Sequence, residues 1–222
     1  MKLSVCIICK NEEDTIERCL ESVKWADEII VLDSGSTDET RAIANKYTDK
    51  VFVRDDWQGF GEQRRRAEAL ATNDWIFAID CDEVVSERLK EEIITTLAKC
   101  NEKNILKLNR LTHFCGQFIR HSGWYPDRIA RIYNKKITGY NQNLVHESIV
   151  MLDCKPIELK ENILHFQYED IFGYMNKRNH YAHIGAEQMV KKGKKPSLLK
   201  ASSSAFFAFI RHYFLRRGFL DG

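Results

Sequence analysis

The fold is decided by residues 74–83, which read DWIFAIDCDE. Residues 74–79 are predicted to form a buried strand, because Asp74 is followed by an apolar run with aromatic and β-branched side chains at 75–79. The run ends at Asp80, and Asp82 follows two residues later. A continuous apolar strand is typical of a parallel sheet that is covered by helices on both faces. The stretch therefore predicts an α/β fold with an acidic pair at the carboxyl end of a strand.

Three further strands are predicted before this one, at residues 3–9, 28–32 and 50–54, and helices separate them. Ile16, Cys19, Leu20 and Val23 recur at the spacing of a helix face. Ser36 and Glu39 match a capping box that would start the second helix, residues 61–71 form the third, and Ser86 can cap a fourth. The first hundred residues thus read β-α-β-α-β-α-β-α. Farther on, strands are predicted at 105–111 and 128–133, and a helix at 170–189.

Composition narrows the class of protein. The 222 residues carry a net charge of +2, which gives no reason to expect a nucleic-acid partner. The sequence contains no run of about 18 apolar residues, so it predicts no transmembrane helix. Seven scattered cysteines, and a strand that begins directly after Met1, favour reduced thiols in a cytoplasmic protein. Cys6 and Cys9 are three residues apart on a strand and point to opposite faces, so we predict buried thiols.

Polar side chains stand after three of the predicted strands. Asn11, Asp33 and Asp80 each follow an apolar run, and parallel sheets bind ligands at the carboxyl ends of their strands. A carboxylate at Asp33 can accept hydrogen bonds from a ribose, although it can equally cap the turn that follows it. Asp80 and Asp82 can converge on a hard cation such as Mg²⁺ or Mn²⁺, which in turn can hold a diphosphate. We therefore predict a nucleotide site with a divalent metal.

Several other residues are candidates for chemistry. Arg64 precedes the acidic strand and could reach a phosphate, or belong to a solvated basic face with its neighbours. His146 and Glu147 are adjacent and could supply a metal ligand and a general base, and His165 is a second possible ligand. Trp124 and Tyr125 precede Asp127 and suit either a sugar ring or core packing.

The sequence resembles the family 2 inverting glycosyltransferases of the GT-A fold. The resemblance lies in the first strand through Asn11 and Glu13, the second strand through Asp33, and the DxD strand. Four later motifs are similar to those of lipopolysaccharide core glucosyltransferases, which modify inner-core heptose: residues 124–127, 131–133, 145–147 and 217–222.

The resemblance implies a UDP-sugar donor, a lipopolysaccharide core acceptor and an inverting, metal-dependent transfer. Its implied nucleotide-sugar-binding residues are Asn11, Glu13, Asp33 and Asp80. We add Arg64 as a nucleotide-sugar-binding candidate because it could reach a phosphate, although the family commonly has Lys-Asn where this chain has Arg64 and Arg65. Asp82 and His146 would bind the metal, and Glu147, with Asp127 second, would be the base. The corresponding domains are a GT-A catalytic domain at 1–165, with a nucleotide-sugar half (1–100) and an acceptor half (101–165), and a helical extension at 166–222.

The composition of the helical extension at 166–222 predicts the cellular location of the protein. Its last residues combine phenylalanines with lysines and arginines, a composition that suits contact with an anionic membrane surface. We therefore predict a peripheral protein on the inner face of the cell membrane, while a core-packing helix remains the other interpretation.

Two other functions are compatible with parts of the sequence. Asp80, Asp82 and Val84 fit the D-x-D-x-[TV] motif of haloacid-dehalogenase-like phosphatases, although that motif normally lies on the first strand. A module that binds nucleotide sugars at a membrane without turnover is the non-enzymatic alternative. Release of phosphate from simple phosphomonoesters would identify the first, and failure to consume UDP-sugar in the presence of acceptor would identify the second.

Overall fold

The computed structural model describes residues 1–141, 147–151, 153–168, 170–193 and 197–221. Its strands are β1 (Leu3–Cys9), β2 (Glu28–Asp33), β3 (Val51–Val53), β4 (Trp75–Asp80), β5 (Glu83–Val85), β6 (Asn104–Phe114), β7 (Gln117–Phe118), β8 (Asp127–Asn134) and β9 (Lys155–Tyr168). Its helices are α1 (Ile16–Val23), α2 (Thr40–Ala44), α3 (Phe60–Leu70), α4 (Glu87–Leu97), α5 (Ile171–Lys191) and α6 (Leu198–Phe209). A π-helical turn (Ile210–Leu215) and a 3₁₀ turn (Gly218–Leu220) follow α6.

The sheet has the strand order β3-β2-β1-β4-β8-β6-β9-β5, and β7 pairs with the end of β6. β1 is parallel to both β2 and β4, and β2 is parallel to β3. These four strands confirm the predicted parallel half. Asn11, Asp33 and Asp80 stand at the carboxyl ends of the neighbouring parallel strands β1, β2 and β4. They therefore lie along the same edge of the sheet, as the sequence predicts.

Both faces of the parallel strands are buried. Successive residues alternate between two apolar clusters, so that Ile79 packs on one face of β4 and Ala78 on the other. Fully burying a side chain such as Phe77 contributes about 1.5–3 kcal/mol, which explains why the strands read as unbroken apolar runs. Cys6 and Cys9 are buried, free thiols in different clusters, so their predicted placement on opposite faces is confirmed.

The structure corrects the predicted start of the second helix. α2 begins at Thr40 and has no side-chain cap, and Ser36 instead donates its hydroxyl to the buried carboxylate of Asp33. A charged acceptor next to the hydroxyl competes successfully with the helix amides. Ser86, by contrast, accepts from the Leu89 amide, as predicted.

Three strands were not predicted: β5, β7 and β9. β5 and β7 are only three and two residues long, too short for a period to be read. β9 is a 14-residue strand in which lysines and glutamates interrupt the apolar residues. Its residues 163–165 pair antiparallel with β5, and this places His165 opposite Glu83. The sequence signal was weak because β9 is a half-exposed antiparallel strand.

The chain divides into two compact units. The first comprises Met1–Arg110 and Arg128–His165, and the second comprises Leu111–Asp127 and Phe166–Gly222. The second unit thus groups the predicted extension with a segment from within residues 101–165. The functional division at residue 165 remains a prediction.

Candidate active site

The loops that follow β1 and β2 are tied together by the residues predicted to bind a nucleotide. Asn11 has a φ of +53°, its amide donates to Ser36 Oγ, and its side-chain oxygen accepts from the Thr37 amide at 2.9 Å. Glu13 accepts from the Glu39 amide at 3.0 Å. Asn11 and Glu13 are exposed, so they hold the loop while remaining open to a ligand.

Asp33 is fully buried. Its carboxylate accepts hydrogen bonds from the amides of Gly35 and Ser36, at 3.0 and 2.9 Å, and from the Ser36 hydroxyl. Its oxygens are therefore engaged in the turn after β2. Direct contact between Asp33 and a ribose remains a prediction, and the contacts described here make Asp33 a residue that fixes the loop.

A pocket of about 490 Å³ opens beside these loops. We call it the aromatic pocket, and its lining residues are Ile8, Cys9, Lys10, Glu12, Ser34, Trp57 and Phe60. The rings of Trp57 and Phe60 pack edge to face at 4.8 Å, and both side chains are nearly half exposed. Exposed aromatic faces at the edge of a cleft are suited to stacking on a flat base. Neither aromatic residue was singled out from the sequence.

A second pocket, of about 420 Å³, lies on the β8 and β6 side of β4. We call it the basic pocket, because five of its lining residues are cations. Its charged lining residues are Arg64, Asp80, Lys107, Arg110, Arg128, Arg131 and Glu147. The remaining lining residues are uncharged: Ile129, Ala130, Tyr140, Ser148, Ile149 and Met151.

Two buried arginines hold Asp80. Arg64 Nη2 donates to Asp80 Oδ1 at 2.5 Å, and Arg131 Nη2 donates to Asp80 Oδ2. Arg131 also donates to Glu83 Oε1 at 2.7 Å, and both guanidinium groups are about 6% exposed. Arg64 is therefore a buried residue of the site, and the solvated-face interpretation does not apply to it.

The charge of Asp80 follows from this environment. Burial alone would raise the pKa of Asp80, but the guanidinium groups of Arg131 and Arg64 outweigh burial and hold the pKa well below its usual range. Asp80 is thus a carboxylate with both oxygens occupied. It is a poor proton acceptor for the same reason, and the chemistry must come from its neighbours.

Glu147 joins the same network through Arg64. Arg64 Nε donates to Glu147 Oε1 at 3.2 Å, and the Glu147 side chain is 17% exposed. The arginine lies 5.2 Å from the ring centre of Tyr140, which fixes the guanidinium plane. The structure thus brings together the predicted residues Arg64, Asp80 and Glu147, although Glu147 lies 83 positions from Arg64 in sequence.

Asp82 has a different partner. His165 Nε2 lies 3.2 Å from Asp82 Oδ2, and the two side chains are 5% and 23% exposed respectively. His165 is held there by the pairing of β9 with β5. Asp82 is thus positioned by one histidine and remains partly open to solvent, unlike Asp80.

The other two predicted site residues are His146 and Asp127. His146 falls outside the described residues. Asp127 begins β8 and belongs to the second unit. The arginine that sequence reasoning missed is Arg131, which was noted only as part of the 131–133 motif. Its charge between the apolar residues Ala130 and Ile132 was the signal.

Trp124 belongs to an aromatic cluster of the second unit. Its ring packs against Phe114 at 5.6 Å and Tyr174 at 6.3 Å. Trp124 is thus partly buried in a small aromatic cluster and lies outside both apolar core clusters, so neither the sugar-ring nor the core-packing interpretation is decided.

Comparison with known proteins identifies relatives along the whole chain. The profile of glycosyl transferase family 2 matches residues 4–159. An uncharacterized glycosyltransferase of Rickettsia bellii is 35% identical over 232 residues, covering 100% of this chain and 79% of that protein. The lipopolysaccharide core biosynthesis glycosyltransferase LpsC of Rhizobium meliloti is 30% identical over 224 residues, covering 96% of this chain and 81% of that protein.

Solved structures share the fold. The structure of S. aureus TarS 1–349 in complex with UDP matches with a TM-score of 0.57 at 18% identity, covering 75% of this chain and 60% of that chain. The TarS complex with UDP-GlcNAc matches with a TM-score of 0.53 at 16% identity, covering 75% and 58%. This chain therefore spans less than two thirds of the TarS structure. The match confirms the predicted GT-A-type α/β fold.

Proposed function

This chain belongs to glycosyl transferase family 2, and from that premise we propose that it transfers a sugar from a UDP-sugar to a lipopolysaccharide or lipooligosaccharide core acceptor. We propose glucose as the sugar and inversion as the stereochemical outcome. One observation carries the proposal: Arg64 bridges Asp80 to Glu147, so that the acidic strand end and a candidate base share one pocket. The name of the LpsC relative supports the acceptor class.

The donor would enter from the aromatic pocket. Trp57 and Phe60 offer ring surfaces for the base, and Asn11 and Glu13 are exposed on the adjoining loop. The binding of UDP by TarS, which has the same fold, supports uracil as the base. Asp33 would act by holding the loop, because its carboxylate is occupied by the backbone.

The residues present fit a divalent cation. Asp82 offers a partly exposed carboxylate, and Mg²⁺ is usually bound by one or two carboxylates together with substrate phosphates and water. No group of three or more metal-binding side chains occurs among the described residues, which agrees with a site completed by the donor. When bound, Mg²⁺ or Mn²⁺ would neutralise charge that develops on the leaving diphosphate. His165 would orient Asp82 or join it as a ligand.

The protein's own residues would perform the proton transfer. Glu147 would take the proton of the acceptor hydroxyl as that oxygen attacks the anomeric carbon from the side opposite the diphosphate. The new carbon–oxygen bond forms as the bond to the diphosphate oxygen breaks, so no covalent enzyme intermediate is needed. Arg64 would keep the Glu147 carboxylate oriented, and Asp80 would keep Arg64 in place.

Binding of the nucleotide can be tested without an acceptor. We expect UDP to stabilise the protein more than GDP does, and Mn²⁺ to increase the effect. Ligand at 100 times its dissociation constant adds about 2.7 kcal/mol, which corresponds to a rise in Tm of roughly 5–10 °C for a chain of this size. Thermal-shift titration of the purified protein measures it. Equal stabilisation by the two nucleotides would contradict the assignment.

A substitution of Trp57 tests in the same assay whether the uracil ring binds in the aromatic pocket. Trp57→Ala is expected to weaken UDP binding by about tenfold or more, because stacking of a base on an aromatic ring contributes about 1–3 kcal/mol. Phe172→Ala, which removes an aromatic ring that is 77% exposed in the second unit, is the matched control and should leave UDP binding unchanged.

The alternatives are not favoured. The family match covers residues 4–159, and the acidic strand is the fourth in the chain rather than the first, which disfavours the phosphatase. Consumption of UDP-sugar only when acceptor is present separates an active transferase from a binding module.

We also propose that the protein works at a membrane surface. Among the described residues, no helix has the length and apolar character needed to cross a bilayer. The surface of the second unit is nevertheless apolar at residues 198–220, which we call the aromatic segment: Phe206, Phe207, Phe209 and Phe214 are each more than half exposed. Arg211 and Arg217 are exposed beside them. Such a surface suits the boundary of an anionic bilayer, in which a glycolipid acceptor is anchored.

Vesicle binding tests this proposal. The protein is expected to co-sediment with anionic vesicles at low salt and to detach at high salt. Arg211→Glu and the double variant Phe206→Ser, Phe207→Ser should each weaken binding roughly tenfold and leave UDP affinity unchanged. Arg216 is unsuitable for substitution, because its guanidinium group packs directly against Gly123. Lys99→Glu changes charge equally on the first unit and serves as the control. Failure to bind anionic vesicles at low salt would refute the proposal.

A further inference from the structure

The basic pocket is lined by more cationic side chains than are paired with carboxylates. Five cations line it, and within the described residues four carboxylates pair with its four arginines: Asp80, Glu83, Glu147 and Glu158. Lys107 lines the pocket and has no carboxylate within 4 Å in the part of the chain that the structure describes. The lysine therefore supplies a charge that the site has not neutralised.

Two buried donors in the same pocket also lack acceptors. Arg64 Nη1 and Arg131 Nε are inaccessible to solvent and make no hydrogen bond within the described residues. Buried polar groups are nearly always hydrogen-bonded, and because these two atoms are closed to solvent, a ligand would reach them only if the arginine side chains shifted. The basic pocket thus combines space with a surplus of positive charge.

The basic pocket lies apart from the aromatic pocket in which we place the donor base. The aromatic pocket adjoins β1, whereas Lys107 and Arg110 lie on β6, three strands farther along the sheet. With neighbouring strands about 4.8 Å apart, that separation is about 14 Å. The metal-binding candidate Asp82 follows β4, between the two. If the diphosphate binds at Asp82 as proposed, the β6 wall of the basic pocket lies on the far side of it, in the same pocket as Glu147, which would receive the proton of the acceptor hydroxyl.

We propose that the basic pocket binds a phosphate group carried by the acceptor sugar, with Lys107, Arg110 and Arg128 as its contacts. Asp80 and Glu147 repel an anion, so the phosphate would lie toward the β6 and β8 wall. Recognition of the phosphate would position a nearby hydroxyl against Glu147. The identification of the phosphate as part of the acceptor rests on the proposed transferase function. Binding of a sugar phosphate to the pocket can be measured without turnover.

The test uses mannose 6-phosphate as the probe and mannose as its neutral counterpart, both titrated by calorimetry in the presence of saturating UDP. We expect the phosphorylated sugar to bind at least tenfold more tightly than mannose. Lys107→Ala should weaken that binding by about tenfold, since a hydrogen bond to a charged group contributes 1.5–3 kcal/mol. Lys99→Ala removes an exposed lysine outside the pocket and should change nothing.

Other results of these titrations would overturn either the phosphate site or the transferase function. If saturating UDP abolishes binding of mannose 6-phosphate, or Lys107→Ala weakens UDP itself, the pocket belongs to the donor diphosphate and the proposal is overturned. Equal binding by wild type and Lys107→Ala overturns it as well. If the phosphate binds as proposed but no UDP-sugar is ever consumed with a phosphorylated glycan acceptor, the transferase function fails while the anion site stands.

Discussion

Glu147→Gln is expected to lower the turnover number by about 10²–10⁴-fold, the usual contribution of a general base. The amide keeps the size of the side chain, and its oxygen can still accept from Arg64 Nε, which lies 3.2 Å from the carboxylate in the wild type. The loss should therefore appear in turnover, with little change in UDP affinity or Tm. Release of UDP from UDP-glucose in the presence of acceptor measures it.

Two controls separate chemistry from structure. Glu91→Gln changes an exposed glutamate on α4 and should leave turnover unchanged. Asp127→Asn tests the second candidate base, and a larger loss there than in Glu147→Gln would reassign the role. A Tm that falls with turnover in Glu147→Gln would point to a structural role in holding Arg64. Retention of the anomeric configuration in the product would refute the single-displacement mechanism altogether.

Asp82→Asn is expected to lower transfer on the order of 10³-fold, comparable to loss of a group that stabilises developing charge in the transition state. The physical reason is that an amide is a weaker ligand for a hard cation than a carboxylate. The wild type should lose activity in excess EDTA and regain it with Mg²⁺ or Mn²⁺. A readout independent of turnover is the additional thermal stabilisation by UDP when Mn²⁺ is added, which should vanish in the variant.

Asp74→Asn is the matched control for Asp82→Asn, because Asp74 is a partly exposed carboxylate just before β4, paired with Lys136. His165→Ala distinguishes the two roles of the histidine: a ligand would be needed for the effect of Mn²⁺ on UDP binding, whereas a residue that only orients Asp82 would change it modestly. Full activity of Asp82→Asn, or of the wild type in excess EDTA, would contradict the metal site.

The structure assigns different environments to the two acidic residues of the DxD stretch. Asp80 is clamped by Arg64 and Arg131, so its charge stabilises the site and is unavailable for proton transfer. Asp82 is partly exposed, and its ion-pair partner within the described residues is His165. The different environments of these carboxylates, two residues apart, explain why we place the metal at Asp82.

Sequence alone predicted the parallel half of the fold because its signals are local. Apolar runs, the helical spacing from Ile16 to Val23 and the cap at Ser86 each depend on a few neighbouring residues, and burial on both faces of β1, β2 and β4 leaves no ambiguity in the pattern. The polar residues at the strand ends followed from the same reasoning. β9 was missed because its alternation of charged and apolar residues is weak and its partner β5 is three residues long.

The amino-acid sequence by itself determined which residues would form the strands and which polar side chains would end them. Tertiary structure alone decided how those side chains are used. Asp33 turned inward to bind the backbone of its own loop, and Arg64 met Glu147 from 83 positions away. Arg131, on β8, reached Asp80 because β8 pairs with β4. The physical reason is that hydrophobic periodicity records whether a side chain is buried, whereas the partner of a buried charge depends on which strands lie side by side, and no local pattern carries that information.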